Sequence, residues 1–353
     1  MRNKILVFIL IFILMVITLQ AEKAGTLSDV LKPETMSFSK DSIFIVEKAE
    51  FLKFSLKDLK LLNRFGKKGE GPGELSVIPG INNNIVPLAD KIFVEGLKKM
   101  MFLSPKGELI KEMRKKMQTW KTLPIGDHFA MMRVRPGKDG KGVYFALSLF
   151  DNKLEEIKDI YRIAYDERDK EIPMAGDAIH FAVYKDRLYV EKSAEGFVID
   201  VYDSNGNLLH HINKKMAPLK YTQKHFEQEM KQLENDDLIR MMAKRDGGWD
   251  SFIKNIKFNK PEHLPLIQDL TVQDGKIYVL TFEAEEGKEK HIVMDLQGNV
   301  LQTLYLPMPK KAGYVNRVMG RDNRFYGYCG DKYYYLQENE ENEEWELHVA
   351  RLK

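Results

Sequence analysis

The stretch that most resembles a chemical site runs from Arg64 to Ile81 and reads RFGKKGEGPGELSVIPGI, with five glycines and two prolines in eighteen residues. Glycine-rich loops bind phosphate when their amides lead into a helix N-terminus. A proline and a strand-like run follow here instead, so the pattern favours a structural connector. In that interpretation three glycines permit unusual φ angles, a proline stiffens the loop and a glutamate bonds to loop amides: Gly69, Gly71, Gly73, Pro72 and Glu74.

Other reactive side chains form no recognisable catalytic or metal-binding pattern. The eight histidines lack metal-ligand spacing, and the adjacent His210 and His211 point to opposite faces of a strand. Cys329 is the single cysteine, so an intramolecular disulfide is excluded, and its apolar surroundings favour a small buried hydrophobe. No serine lies in a Gly-x-Ser-x-Gly motif. We therefore predict no catalytic residue and favour a protein that is not an enzyme.

Composition and the N-terminal segment bear on partners and compartment. Among 353 residues, 55 are Lys or Arg and 52 are Asp or Glu, and a formal charge of +3 gives no reason to expect nucleic acid as a partner. A basic MRNK start precedes a run of fifteen residues, Ile5 to Leu19, that is apolar except for Thr18. This pattern predicts a signal peptide over 1–21, with an uncleaved N-terminal anchor as the alternative. The protein is therefore expected to be exported, to the periplasm or the extracellular space.

A repeated strand pattern indicates the scaffold that would position any site. Segments such as DKIFVEGL from residue 90 and DRLYVEKS from residue 186 share a turn aspartate, an apolar pair and then valine, and hairpins with turns such as Asn205-Gly206 follow them. The pattern begins at residues 41, 90, 186, 274 and 322, and a sixth, weaker copy begins near residue 127. The first apolar residue of each copy is Ile43, Ile92, Phe129, Leu188, Ile277 and Phe325.

Six units of short strands predict an all-β, six-bladed β-propeller, because each unit alone leaves an apolar face exposed and a ring of units buries it. The predicted blades span about 34–66, 79–113, 127–162, 178–213, 264–306 and 314–352. The propeller would thus cover 34–353, and the ring is expected to close between the last blade and the segment after the signal peptide. Two stacked β domains are the alternative architecture.

One interval between units is too long, and a helical insertion at 221–250 accounts for it. Residues 221–245 lack glycine and proline and place apolar residues roughly at helical spacing. The insertion falls between blades 4 and 5, and long loops on a propeller face are where specificity usually resides. Phe226, Trp249 and Asp250 are therefore the candidate binding residues, the last two in a GGWD sequence that closes the insertion.

The junction around the glycine loop resembles that of the NHL-type and related bacterial six-bladed β-propellers. The match comprises Phe65-Gly66, the glycine loop, Pro79-Gly80-Ile81, Ile92-Phe93-Val94 and Gly107, about forty-five residues. It is only at pattern level in the other blades. Leu75 stands where these proteins usually have phenylalanine, and EGLKKM replaces the Asp, Asn and Arg that often follow the valine strand. The resemblance implies the fold and, loosely, a binding role.

Glu70 provides an alternative to this interpretation. The sequence GEGP at 69–72 is similar to the metal-ligand strand of gluconolactonase-like propellers, in which a glutamate before Gly-Pro binds a divalent ion at the central channel. That resemblance implies a metal-dependent lactonase-like hydrolase with Ca²⁺ or another divalent ion as cofactor. The favoured interpretation has no cofactor. It is a monomeric, exported binding or interaction module for a protein or small-molecule ligand, with membrane contact only through an uncleaved N-terminal segment.

Overall fold

The computed structural model describes residues 21–137, 143–165, 171–175, 179–192, 195–254, 256–308 and 324–352. In this part of the chain, six four-stranded antiparallel sheets form the main body. Among the described residues, α-helices occur in one segment, which lies between the fourth and fifth sheets in chain order. The predicted six-bladed β-propeller with a helical insertion between blades 4 and 5 is therefore confirmed.

The described chain begins with β1 (Glu22–Thr26), and blades 1 to 5 then follow, each from its innermost to its outermost strand. Blade 1 contains β2 (Thr35–Phe38), β3 (Ser42–Glu47), β4 (Glu50–Ser55) and β5 (Leu61–Phe65). Blade 2 contains β6 (Asn84–Pro87), β7 (Ile92–Glu95), β8 (Lys99–Leu103) and β9 (Leu109–Arg114). Blade 3 contains β10 (Lys121–Ile125), β11 (His128–Pro136), β12 (Val143–Phe150) and β13 (Glu156–Tyr165).

Blades 4 and 5 lie on either side of the insertion. After β14 (Glu171–Pro173), blade 4 contains β15 (Phe181–Tyr184), β16 (Arg187–Glu191), β17 (Phe197–Asp203) and β18 (Leu208–Lys214). The insertion contains α1 (Gln223–Glu234), α2 (Asp237–Arg245) and α3 (Trp249–Lys254), followed by β19 (Lys257–Asn259), which pairs in parallel with β14. Blade 5 contains β20 (Asp269–Gln273), β21 (Lys276–Glu285), β22 (Lys288–Asp295) and β23 (Val300–Pro307).

Blade 6 closes the ring with strands from both ends of the described chain. It contains β24 (Tyr326–Cys329), β25 (Lys332–Asn339) and β26 (Glu344–Arg351), and β1 pairs antiparallel with β26 as the fourth strand. The backbone N–H of Leu27 extends this pairing by donating to the carbonyl of Trp345 (2.8 Å). Closure by backbone hydrogen bonds removes the free sheet edge that an incomplete blade would expose.

The blades are held together by apolar side chains from neighbouring sheets. One buried cluster joins Val46 and Phe51 of blade 1 to Ile85 and Val94 of blade 2. Similar clusters join blades 2 and 3, 3 and 4, 4 and 5, and 5, 6 and 1. Burial on both faces explains why the central strands read as nearly continuous apolar runs in the sequence.

The outer hairpins combine a side-chain hydrogen bond with a glycine. Asp295 Oδ1 accepts from the N–H groups of Gln297 (3.0 Å) and Asn299 (2.8 Å), and Asp203 does the same in blade 4. In the blade 5 hairpin, Gly298 lies between Gln297 and Asn299 and has φ of 90°. A Cβ added to it would lie 2.5 Å from Ile212 of blade 4. The glycine therefore permits both the left-handed turn and a close contact between blades.

The insertion has a small apolar core of its own, formed by Leu233, Ile239, Ala243 and Phe252. Asp236 begins α2 as its N-cap, and its carboxylate accepts from two N–H groups of the first turn. Among the described residues, no helix is both long enough and apolar enough to cross a membrane. The predicted signal peptide lies outside the described residues, except for Ala21.

Candidate functional site

A central channel of about 930 Å³ runs between the innermost strands, and all six of them, β2, β6, β10, β15, β20 and β24, line it. Its lining includes the turns that follow these strands at 39–41 and 88–89. The channel mouth therefore lies on the face where the innermost strands end. This volume is in the range of small-molecule binding sites in proteins.

Alternation along the innermost strands selects the side chains that face the channel. In β20, Leu270 and Val272 are buried in the packing between blades 4 and 5, whereas Thr271 and Gln273 are less buried. Because successive residues of a strand point to opposite sides, the polar members of β20 are directed away from that packing. All four residues border the channel, and the two polar side chains give this wall its hydrogen-bonding capacity.

The charged residues of the channel lining are mostly basic. Six basic residues stand against two acidic ones: Lys40, Lys53, Lys91, Lys121, Lys185 and Arg324 against Asp41 and Asp274. Asp274 also accepts a hydrogen bond from the N–H of Gly330 (2.7 Å). The lining thus has an excess of positive charge in a concave surface, where low-dielectric walls strengthen the potential that a ligand experiences.

Two of the six cations are held by neighbouring protein groups. Arg324 forms an ion pair with Asp269 (Nη2 to Oδ1, 2.5 Å) and donates to the carbonyl of Leu270 (3.0 Å). Lys121 is buried and donates from Nζ to the carbonyl of Phe181 (2.9 Å). The Tyr326 hydroxyl donates to Asp269, and burial raises the pKa of this tyrosine well above its ordinary value. Tyr326 is therefore a neutral donor at the start of β24.

The other four cations have no carboxylate within 4.0 Å in the described part of the chain. Three of their ammonium groups lie over aromatic rings at 5.6, 5.1 and 5.5 Å from the ring centroids, in the pairs Lys53 with Phe44, Lys91 with Phe102 and Lys185 with Tyr184. Lys40 is exposed in the turn after β2. The aromatic contacts stabilise the charges without neutralising them.

The insertion contacts segments that lead into the innermost strands, at the end of the channel opposite the mouth. The Glu229 carboxylate of α1 accepts from the N–H of Ala175 (2.9 Å), before β15, and from the hydroxyl of Tyr221 (2.9 Å). Leu238 of α2 lies close to Gly80, in the loop before β6. A Cβ added to Gly80 would be 2.8 Å from the backbone nitrogen of Leu238. The insertion thus packs on this end of the propeller.

The three predicted binding residues lie within the insertion and outside the channel lining. Trp249 packs against Phe252 with ring centroids 6.0 Å apart. Phe226 meets Phe258 edge-on, and the ammonium of Lys260 lies 3.6 Å from its ring centroid. Asp250 is exposed in the first turn of α3. The structure therefore brings none of the three to the channel mouth, and their binding role stays a prediction.

The glycine loop is tied to blade 2 by hydrogen bonds. Glu74 Oε2 accepts from the N–H of Gly71 (3.0 Å), and the Gly71 carbonyl accepts from Lys99 Nζ (2.7 Å). The N–H of Gly73 donates to Glu112 (2.8 Å). Gly69 and Gly73 have φ of 159° and 73°, whereas Gly71, for which an unusual φ was also predicted, does not have a positive φ. Pro72 stands between Gly71 and Gly73. These contacts are those of a loop that connects blades 1 and 2.

Glu70 lies on the surface and outside the channel lining. Its carboxylate accepts from the Ser76 hydroxyl (2.8 Å) and from Lys98 Nζ (3.2 Å), and these two contacts lower its pKa. Within the described ranges, no three His, Cys, Asp or Glu side chains lie close enough together to hold a metal ion. The metal-ligand role of Glu70 therefore gains no support from its surroundings.

The remaining reactive side chains have structural contacts. His211 Nδ1 lies 2.6 Å from Asp200 Oδ1, and His210 Nε2 lies 3.3 Å from the carbonyl of Leu296. Partial burial raises the pKa of the Cys329 thiol to about 11, which disfavours the reactive thiolate. His291 is buried among tyrosines, and burial lowers its pKa to about 3, so it is neutral.

Sequence reasoning did not select the basic residues of the channel mouth, although the repeat contained a signal for them. Lys40, Lys91 and Lys185 each flank the turn aspartate of a strand-start pattern, in KDSIF, ADKIF and KDRLY. Because this turn recurs in each blade, its residues assemble around one mouth once the ring forms. Lys53, on the third strand of blade 1, had no comparable signal.

No family model and no curated protein matches this chain. Several solved structures match it. A member of the DUF4221 family from Bacteroides vulgatus is 14% identical over 94% of this chain and 97% of that chain, with a TM-score of 0.47. BamB from Moraxella catarrhalis is 6% identical over 90% and 71%, with a TM-score of 0.32. BBS1N in complex with ARL6DN is 10% identical over 91% and 80%, with a TM-score of 0.38. The NHL-type resemblance stays a prediction.

Proposed function

We propose that the protein is an exported binding module that takes a ligand in its central channel. The observation that carries this proposal is the channel itself, a cavity of about 930 Å³ that all six blades line and that has polar and charged side chains at its mouth. Such a cavity surrounds a small molecule on most sides. Export rests on the basic and apolar N-terminal sequence.

The ligand enters from the face that carries the turns after the innermost strands. The insertion packs on the segments that lead into these strands, so it occupies the other end. In this proposal the insertion shields that end of the channel and its exposed surface remains available to a protein partner. Its helices are joined to the propeller by the hydrogen bond between Glu229 and Ala175 and by the pairing of β14 with β19.

Catalysis is not part of the proposal. The hydrolase alternative depended on Glu70, whose carboxylate contacts Ser76 and Lys98 at the surface. In the described part of the chain, the buried carboxylate of Asp200 contacts Lys192 (2.8 Å), His211 and Tyr202, an arrangement that has the form of a structural ion network. No specific observation favours a second function.

A fragment screen by saturation-transfer NMR tests the proposal, with neutral and anionic fragments as separate sets. Gln273→Trp fills the channel mouth from β20, and Gln302→Trp is its matched control on the outermost strand of the same blade. We expect fragments that bind the wild type and Gln302→Trp and do not bind Gln273→Trp. A screen without hits, or hits that Gln273→Trp retains, would contradict ligand binding in the channel.

A further inference from the structure

We infer that the channel mouth recognises a small, multiply charged anion that carries phosphate or carboxylate groups. This inference rests on the proposed function, because it names the chemical class of the ligand for the same site. The first observation is the charge of the lining, where six basic residues face two acidic ones. With the pair of Arg324 and Asp269 set aside, three positive charges remain in excess at this one site, as many as the net charge of +3 of the whole chain. Positive charge is thus concentrated in the channel.

The second observation is which lysines are available to a ligand. Arg324 is engaged by Asp269, and Lys121 donates to a backbone carbonyl. Lys53, Lys91 and Lys185 rest on aromatic rings instead, without a carboxylate within 4.0 Å in the described ranges. A ring occupies one side of an ammonium group and leaves its other N–H donors directed away from the ring. An anion in the channel would accept hydrogen bonds from these N–H groups.

The third observation is the partial burial of two of these lysines. Lys53 and Lys91 are only partly exposed. A cation that is removed from water without a counter-charge carries a desolvation cost, and an anion that enters beside it offsets that cost. An anionic ligand would therefore gain from the charges of Lys53 and Lys91, and a neutral ligand would not.

The positions of the lysines indicate more than one charge on the ligand. Lys40 and Lys53 belong to blade 1, Lys91 to blade 2 and Lys185 to blade 4, so the available ammonium groups come from separate sectors of the ring. A single small anion pairs with one sector, whereas a ligand with several charged groups reaches two or more. Lysine is a point charge that does not distinguish phosphate from carboxylate by geometry, so the inference covers both.

Isothermal titration calorimetry with inorganic tripolyphosphate and with citrate tests this inference. The protein titrated is the full chain without the predicted signal peptide, with the insertion retained. Each titration is run at low and at physiological salt. The main variant is Lys53→Gln with Lys91→Gln. The control is Lys57→Gln with Lys153→Gln, which removes the same charge from exposed outer hairpins of blades 1 and 3. A second variant, Lys40→Gln with Lys185→Gln, changes exposed turn residues and leaves the packing between blades intact.

We expect at least one of the two anions to bind the wild type and to weaken by about tenfold or more in both channel variants, with a change below about twofold in the control. Binding of tripolyphosphate alone would identify phosphate as the preferred group, and binding of citrate alone would identify carboxylate. Equal weakening in the channel variants and the control, or no binding of either anion, would overturn the inference. If neutral fragments still bind the channel in that case, the proposed function stands and only the anion class fails.

Discussion

Glu34 provides a test of the structure that is independent of any ligand. It directly precedes β2, and its carboxyl oxygen Oε2 is buried without a hydrogen-bond partner in the described part of the chain. Burial is the main cause that raises its pKa from 4.5 to about 7, with smaller contributions from the negative charges of Glu47 and of Asp237 in α2. The hydrogen bond and charge of Lys48 oppose this shift.

The sign and size of the effect follow from the difference in proton affinity between the folded and unfolded chains. The folded chain binds the proton of Glu34 more tightly, so protonation stabilises the fold. A pKa difference of about 2.5 corresponds to about 3 kcal/mol. This stabilisation is fully present below pH 4.5 and is lost as the pH rises through 7. Between pH 5 and pH 8 Glu34 is therefore expected to remove about 2.5 kcal/mol from the free energy of unfolding.

Glu34→Gln replaces the titrating group with a neutral one of the same shape. We expect the variant to exceed the wild type by about 3 kcal/mol in the free energy of unfolding at pH 8 and by less than about 1 kcal/mol at pH 5. Urea denaturation at both pH values measures the difference. Glu341→Gln, on the exposed outer hairpin of blade 6, is the control and should change neither value. Wild type and Glu34→Gln with the same dependence on pH would refute the argument that burial raises this pKa.

Further predictions concern the outer hairpins and the surface glutamate. Asp295→Ala removes the acceptor of two turn N–H groups, and urea denaturation should show a loss of about 1–2 kcal/mol; no loss would contradict the role of the turn. Gly298→Ala places a Cβ at a left-handed φ and 2.5 Å from Ile212, so we expect the free energy of unfolding to fall by about 2–3 kcal/mol. Gly287 has φ of 77° and open space where its Cβ would lie, so Gly287→Ala should cost only about 1 kcal/mol. Equal losses would argue against the close contact between blades. Glu70→Gln should melt within about 1 °C of the wild type, with Ca²⁺ or with chelator. A Ca²⁺-dependent rise in the wild type that Glu70→Gln abolishes would restore the metal hypothesis.

Much of the fold was predictable because the repeat appears in local chemistry. A turn aspartate followed by apolar pairs, and hairpins with Asn205-Gly206 or Gln297-Gly298, indicate short strands at short intervals. Blade 3 shows the limit of this method. Its innermost strand, Lys121–Ile125, contains Pro124 and precedes the predicted start of the blade near residue 127. A strand that contains proline gives a weak sequence signal, and here it lies on the open side of the sheet, where Pro124 lines the channel.

The candidate site was less predictable, because it depends on which residues a closed ring brings together. Sequence reasoning selected Phe226, Trp249 and Asp250 by their place in a long insertion, whereas Lys91 and Lys185 lie in ordinary turns of the repeat. Neither lysine is distinctive alone. They border the same cavity only because equivalent turns of different blades meet at the channel mouth, a relation between positions about ninety residues apart.

The two ends of the channel differ in a way that separates recognition by the channel from recognition by the insertion. Lys40, Lys91 and Lys185, which lack carboxylate partners in the described ranges, lie in or beside the turns at the mouth. The helices of the insertion contact the propeller at the opposite end, through Glu229 and Leu238. An anionic ligand is therefore expected to approach the channel mouth first, because the attraction between opposite charges is strongest where the lysines lie. Loss of binding on removal of the lysines and loss on removal of the insertion would thus report two different surfaces of one molecule.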